Sequence, residues 1–204
     1  DANSYTIWQA FHNKNGKLPL HLYESIIDTK VNNIVRIIRP HDGVINCNNI
    51  TTTIRNTLID NVAILSNSLF KSEAKNHSDN YLMLLANNYE EFKKITKKYP
   101  YWYSLVEIVL NDTEKFLKEF LFQLIKDRIY VTEKFYGEAT SIDDIVLSKG
   151  DRHRGRFVIE VKTPKGDFFY KPRRSDVDEA FKDCLEKLAE KDGILSMKTP
   201  EFVS

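Results

Sequence analysis

The first 140 residues place apolar side chains three and four positions apart, which is the period of an amphipathic helix. The clearest stretch follows the helix breaker Pro100 and predicts one long helix over 101–135, or two helices joined near Asn111. Thr51 to Thr53 are candidate N-caps of an earlier helix, because a hydroxyl can accept a hydrogen bond from an amide of the first turn. In all, the periodicity predicts three shorter helices, over 20–38, 50–72 and 79–97.

After residue 140 the period falls to two, which is typical of β-strands. Strands are predicted over 144–148, 157–162 and 167–171. The last two strands are joined by the residues Thr163-Pro164-Lys165-Gly166, which predict a hairpin because proline sets the bend and glycine accepts a positive φ.

The third strand should end at Pro172, and a final helix is predicted over 177–192, closing at Gly193. These elements predict an α+β fold: a helical region over 1–140, then a small antiparallel sheet and one helix over 141–204.

The 204 residues include 30 Lys and Arg against 29 Asp and Glu, a net charge of +1. That balance argues against a nucleic-acid partner. No apolar run approaches the roughly 18 residues that would cross a bilayer, and the first residues do not have the pattern of a secretory signal. Cys47 and Cys184 have no CxxC spacing, which favours two buried thiols over a zinc site. We therefore expect a cytoplasmic protein with no membrane span.

The segment 149–174 departs from this neutral average, since it holds nine Lys and Arg against three acidic residues. A solvated hairpin is one explanation. The other is an anion site: the predicted loop over 149–156 has glycines at 150 and 155 that let backbone amides turn toward a ligand, and Lys171 ends the third predicted strand. Protein kinases bind the phosphates of a nucleotide with such a loop and a strand lysine.

The sequence Gly-Asp-Arg-His-Arg-Gly-Arg over 150–156, then a strand, a turn and Tyr-Lys-Pro-Arg over 170–173, resembles the N-terminal dehydratase part of the type 2 lanthipeptide synthetases (the LanM family). The resemblance is specific over the last 60 residues and extends more loosely over about 70 before them. Phe169 before the tyrosine departs from the family pattern, as does Lys149 at the leading edge of the loop.

The resemblance implies a sheet and helix like the N-lobe of a lipid-kinase-like fold, with ATP and Mg²⁺ used to dehydrate Ser and Thr of a precursor peptide. By the family pattern the nucleotide would be bound by Gly150, Gly155, Arg156 and Lys171, and the catalytic residues of phosphorylation would include Asp151 and His153. Plainer interpretations remain open: His153 as an exposed loop residue, and Asp151 as the cap of an Asx-turn.

Family members are far longer than this chain, and neither an Asp-x-His-x-x-Asn stretch nor a metal-binding Asp of a second lobe is found in the sequence. We therefore expect a fragment that is inactive alone, with the Mg²⁺ ligands in the remainder of the synthetase and no metal site within this chain. Its partners would be that remainder and the precursor peptide, a leader followed by a Ser/Thr-rich core. The alternative is a non-catalytic module that binds a peptide or a phosphate.

Overall fold

A computed structural model describes residues 21–75, 89–153, 156–172, 180, 183–185 and 187. The helical part consists of α1 (His21–Ile38), a 3₁₀ turn (Arg39–His41), α2 (Cys47–Lys75), α3 (Tyr89–Lys98) and α4 (Pro100–Tyr136). The predicted helices are confirmed where they fall on these residues. Of the helix predicted over 79–97, residues 79–88 lie outside the described residues, as does most of 177–192 with Gly193.

Helix α4 is one continuous helix rather than two. Pro100 is placed in its first turn, where a missing N–H costs nothing. The helix ends at Gly137, whose φ of 77° is left-handed and whose N–H donates to the Glu133 carbonyl at 2.8 Å. Its buried side chains face α1, α2 and the sheet, so α4 is the central element of the fold.

The predicted cap of α2 is wrong. The helix begins four residues before Thr51, and Asn46 caps it by accepting a hydrogen bond from the Asn49 amide at 3.1 Å. The hydroxyls of Thr51 and Thr52 instead donate to carbonyls one turn earlier, because residues already inside the helix can use only that backbone.

The sheet has three antiparallel strands in the order β1 (Asp144–His153), β2 (Arg156–Thr163) and β3 (Gly166–Tyr170). The predicted hairpin is confirmed: Gly166 has a φ of 149°, and the Thr163 hydroxyl accepts from the Gly166 amide at 3.2 Å. In β2 buried residues alternate with more exposed ones, so one face of the sheet packs on the helices.

One core joins helices and sheet. The Phe157 ring of β2 meets the Phe116 ring of α4 edge-on, with 4.8 Å between centroids. On β3, Phe168 stacks on Phe135 of the same helix at 5.9 Å. These contacts fix the sheet against the middle and the C-terminal part of α4. They thereby set the position of the residues at the ends of the strands.

The prediction of two buried thiols is wrong for Cys184, which is exposed. Cys47 is half-buried, and its thiol donates to the Ile38 carbonyl at 3.3 Å. Burial raises the pKa of that thiol, so it behaves as a small packing residue at the start of α2.

Candidate functional site

Most of the loop predicted over 149–156 belongs to strands. Strand β1 runs through His153 and β2 begins at Arg156, so the two strands form an antiparallel ribbon over 149–153 and 156–158. Two shifts of register lie along this ribbon. Such shifts disrupt the ladder locally, and the pairing resumes at Lys149 with Val158 and at His153 with Arg156.

Lys171 lies at the ribbon end of the sheet. Tyr170, the residue before it, pairs with Ile159 of β2. Lys171 is the first residue beyond β3, and Val158, the next residue of β2 in that direction, pairs on its other side with Lys149 of the ribbon. Two strand spacings, about 10 Å, therefore separate the backbones of the two lysines.

Arg156, the first residue of β2, makes an ion pair with helix α4. Its guanidinium donates to the Glu119 carboxylate at 2.8 Å, and both side chains are about half exposed. This predicted nucleotide-binding residue thus already has an anionic partner on the helix.

Tyr170 connects the same turn of α4 to the end of β3. Its ring packs on Phe120, with 5.0 Å between centroids, and Phe120 itself is fully buried. Burial raises the pKa of Tyr170, and the positive charge of Arg156 opposes part of that rise. Lys171, the next residue along the chain, is exposed.

The face of the sheet away from the helices carries charge and one large apolar side chain. Lys162 donates to Asp167 at 3.3 Å and lies 3.9 Å from Glu160, and these contacts raise the pKa of Lys162, with the Asp167 hydrogen bond as the largest cause. Phe169 is 57% exposed on the same face. The described part of the chain leaves this face open to solvent or to a partner.

The predicted catalytic residues fall in the ribbon. Gly150 and Asp151 are in β1, and His153 pairs with Arg156 across the ladder. Gly155 lies outside the described residues. The roles assigned to these residues from the family pattern stay predictions.

Sequence reasoning missed Glu119 and Phe120. Both are ordinary members of a helix pattern, and Glu119 precedes its partner Arg156 by 37 residues. No local signal connects residues that far apart, so the contact appears only when the sheet docks on α4.

A shallow groove of about 400 Å³ runs along the exposed side of α4 and reaches Glu119. Neither Arg156 nor Lys171 lines it, and its two glutamates and two lysines give it no net charge.

Among the described residues, no three His, Cys, Asp or Glu side chains come together as a metal site would need. Nor is any helix among them long and apolar enough to cross a membrane.

The chain belongs to a family known as DUF4135, a domain of unknown function, whose model matches residues 99–204, just over half of the chain. The match begins immediately before α4 and includes the ribbon and Lys171.

The chain is also 30% identical over 95 residues to the lacticin 481/lactococcin biosynthesis protein LcnDR2 of Lactococcus lactis subsp. lactis. The matched segment covers 47% of this chain and only 10% of that relative. DUF4135 domains are found in LanM-type lanthipeptide synthetases, so both findings confirm the resemblance stated from the motifs.

Proposed function

We propose that the chain forms part of the nucleotide pocket of a lanthipeptide dehydratase. The observation that carries this proposal is the register that brings Lys171 level with the ribbon of β1 and β2. An ammonium group on a flexible stem suits a phosphate chain. We further propose that the sheet corresponds to the N-lobe of a lipid-kinase-like fold.

In the proposed reaction a Ser or Thr hydroxyl of the precursor peptide attacks the γ-phosphorus of ATP, and ADP leaves with the hydroxyl proton passing to a base. A base then removes the α-proton and the phosphate departs from the β-carbon, leaving a double bond between the two carbons. Phosphate is a far better leaving group than hydroxide, so phosphorylation prepares the side chain for elimination. Because both steps involve the phosphate, one anion site can serve both.

The roles that we propose for the residues follow the family pattern. Lys171 would bind the nucleotide phosphates, and Asp151 and His153 of the ribbon would act in phosphorylation. Mg²⁺ would neutralise charge on the phosphates. The described residues offer no group of three metal ligands, so we assign Mg²⁺ no ligand among them. We propose that the remainder of a cytoplasmic synthetase supplies the metal site.

The test uses the protein encoded by the complete reading frame, a precursor peptide with its leader and Ser/Thr-rich core, ATP and Mg²⁺. We expect mass spectrometry to detect loss of water from the peptide. Lys171→Ala should lower that rate more than tenfold with the melting temperature unchanged, since the side chain is exposed. Lys162→Ala, at the other end of the sheet, is the matched control and should stay active.

Equal rates for Lys171→Ala and the wild type would place the pocket elsewhere. If the wild-type protein bound the peptide but neither phosphorylated nor dehydrated it, the chain would be the non-catalytic peptide- or phosphate-binding module instead.

A further inference from the structure

Beyond the end of β3 the ribbon continues as the two strands β1 and β2 alone. Beyond the pair Val146 and Glu160, its described backbone pairs are Lys149 with Val158 and His153 with Arg156, and a register shift precedes each of them. A bulged two-stranded ribbon is only weakly ordered by its own pairing. Its direction must therefore be set by contacts to something outside the sheet.

One turn of α4 supplies those contacts. Phe116 packs on Phe157, and Glu119 accepts from Arg156 at 2.8 Å, so the far end of the ribbon, where His153 pairs with Arg156, is held at two successive residues of β2. Phe120 packs on Tyr170, the neighbour of Lys171. The same turn thus holds both parts of the proposed anion site.

We propose that Glu119 is a positioning residue, which holds Arg156 and thereby fixes the ribbon relative to Lys171. This inference rests on the proposed function for its effect on catalysis, but the contact itself can be tested without activity. Because both side chains are about half exposed, the ion pair adds little to the stability of the fold. Its loss should free the ribbon while the aromatic contacts keep the sheet in place.

The effect on catalysis follows from geometry. Misplacing a reacting group by about 1 Å can cost up to about a hundredfold in rate. Loss of an exposed ion pair at the far end of a short ribbon permits smaller excursions, so we expect Glu119→Gln to lower kcat/KM for ATP about fivefold to tenfold. The loss should fall mainly on KM for ATP, because the ribbon would have to be ordered again each time the nucleotide binds.

The first experiment is hydrogen exchange on the chain itself. Glu119→Gln should speed exchange of ribbon amides such as those of Lys149 and Val158 at least threefold, with the melting temperature within about 2 °C of the wild type. The matched control is Glu138→Gln, which removes an equally exposed ion pair to Lys165, at the opposite end of the sheet. It should leave the ribbon amides unchanged.

The second experiment is kinetic and uses the complete protein. Glu119→Asp, which keeps a carboxylate for Arg156, should recover at least half of the kcat/KM lost in Glu119→Gln. Unchanged exchange in Glu119→Gln would overturn the proposal. So would a Glu119→Asp variant as impaired as Glu119→Gln, since the carboxylate opposite Arg156 would then not be what sets the rate. An inactive wild-type protein refutes the proposed function alone, and the exchange experiment still decides the positioning role.

Discussion

The contact between Phe116 and Phe157 is the point where the sheet is bound to α4, and a double-mutant cycle can measure its strength. Phe157 is 1% exposed and Phe116 is 3% exposed, and the rings meet edge-on at an interplanar angle of 74°. Replacing each with Leu keeps a buried apolar side chain but removes the ring. We expect each single variant to lose about 1 to 2 kcal/mol of unfolding free energy, the usual range for a core change.

The pair should also show a coupling energy. Edge-to-face rings at this spacing add about 0.5 to 1.5 kcal/mol beyond the area that they bury. The double variant lacks a contact that each single variant has already removed, so its loss should be smaller than the sum of the two single losses by that amount. Urea denaturation followed by far-UV circular dichroism measures all four free energies.

A matched control uses Phe92→Leu combined with Phe157→Leu. Phe92 packs against Trp102, which precedes Phe116 by fourteen residues of α4, a distance of about 21 Å along a helix axis. Residues so far apart should show additive losses within about 0.5 kcal/mol. Additivity in the Phe116 and Phe157 cycle as well would refute the argument that this ring contact binds the sheet to the helix.

Two further predictions concern the helices. Asn46→Ala should lower the unfolding free energy by about 0.5 to 2 kcal/mol because it removes the N-cap of α2. Thr52→Ala, at an exposed position inside the helix, should change that free energy by less than about 0.5 kcal/mol. Urea midpoints of the two variants test this, and equal losses would contradict it. Burial alone would raise the pKa of Glu114, but hydrogen bonds from Lys118, Lys30 and Asn33 outweigh it and lower that pKa overall. The stability that the carboxylate contributes is therefore complete above its unfolded pKa of about 4.3 and is lost as the pH falls toward the lower pKa of the folded state. Glu114→Gln should flatten the acid side of the curve of unfolding free energy against pH, and an unchanged slope would refute this prediction.

Local chemistry explains which elements the sequence predicts well. The long helix after Pro100 and the turn closing at Gly166 each depend on one residue whose backbone preference is fixed by its covalent structure. The start of α2 is predicted poorly because three adjacent threonines are all candidate caps. The true cap is one asparagine, whose side chain accepts a hydrogen bond from the amide three residues later. Only the folded helix distinguishes the two.

The ribbon is the other element that the pattern of apolar and polar residues does not predict, for a different reason. A strand is recognised by apolar alternation, which requires that one face be buried. The residues from Lys149 to Arg156 have no such alternation, so they read as a loop. Among the described side chains, Arg156 makes an ion pair with a helix far away in the chain, and the neighbouring Phe157 and Tyr170 make ring contacts with the same helix.

These contacts give α4 two functions in the fold. Its first turns place Trp102 among the aromatic side chains of α1 and α3, and later turns hold the sheet through Phe116 and Phe120. The family match begins at residue 99, so it takes in α4 together with the sheet. The proposed pocket, where the ribbon approaches Lys171, therefore depends for its geometry on Phe116, Glu119 and Phe120 of this helix.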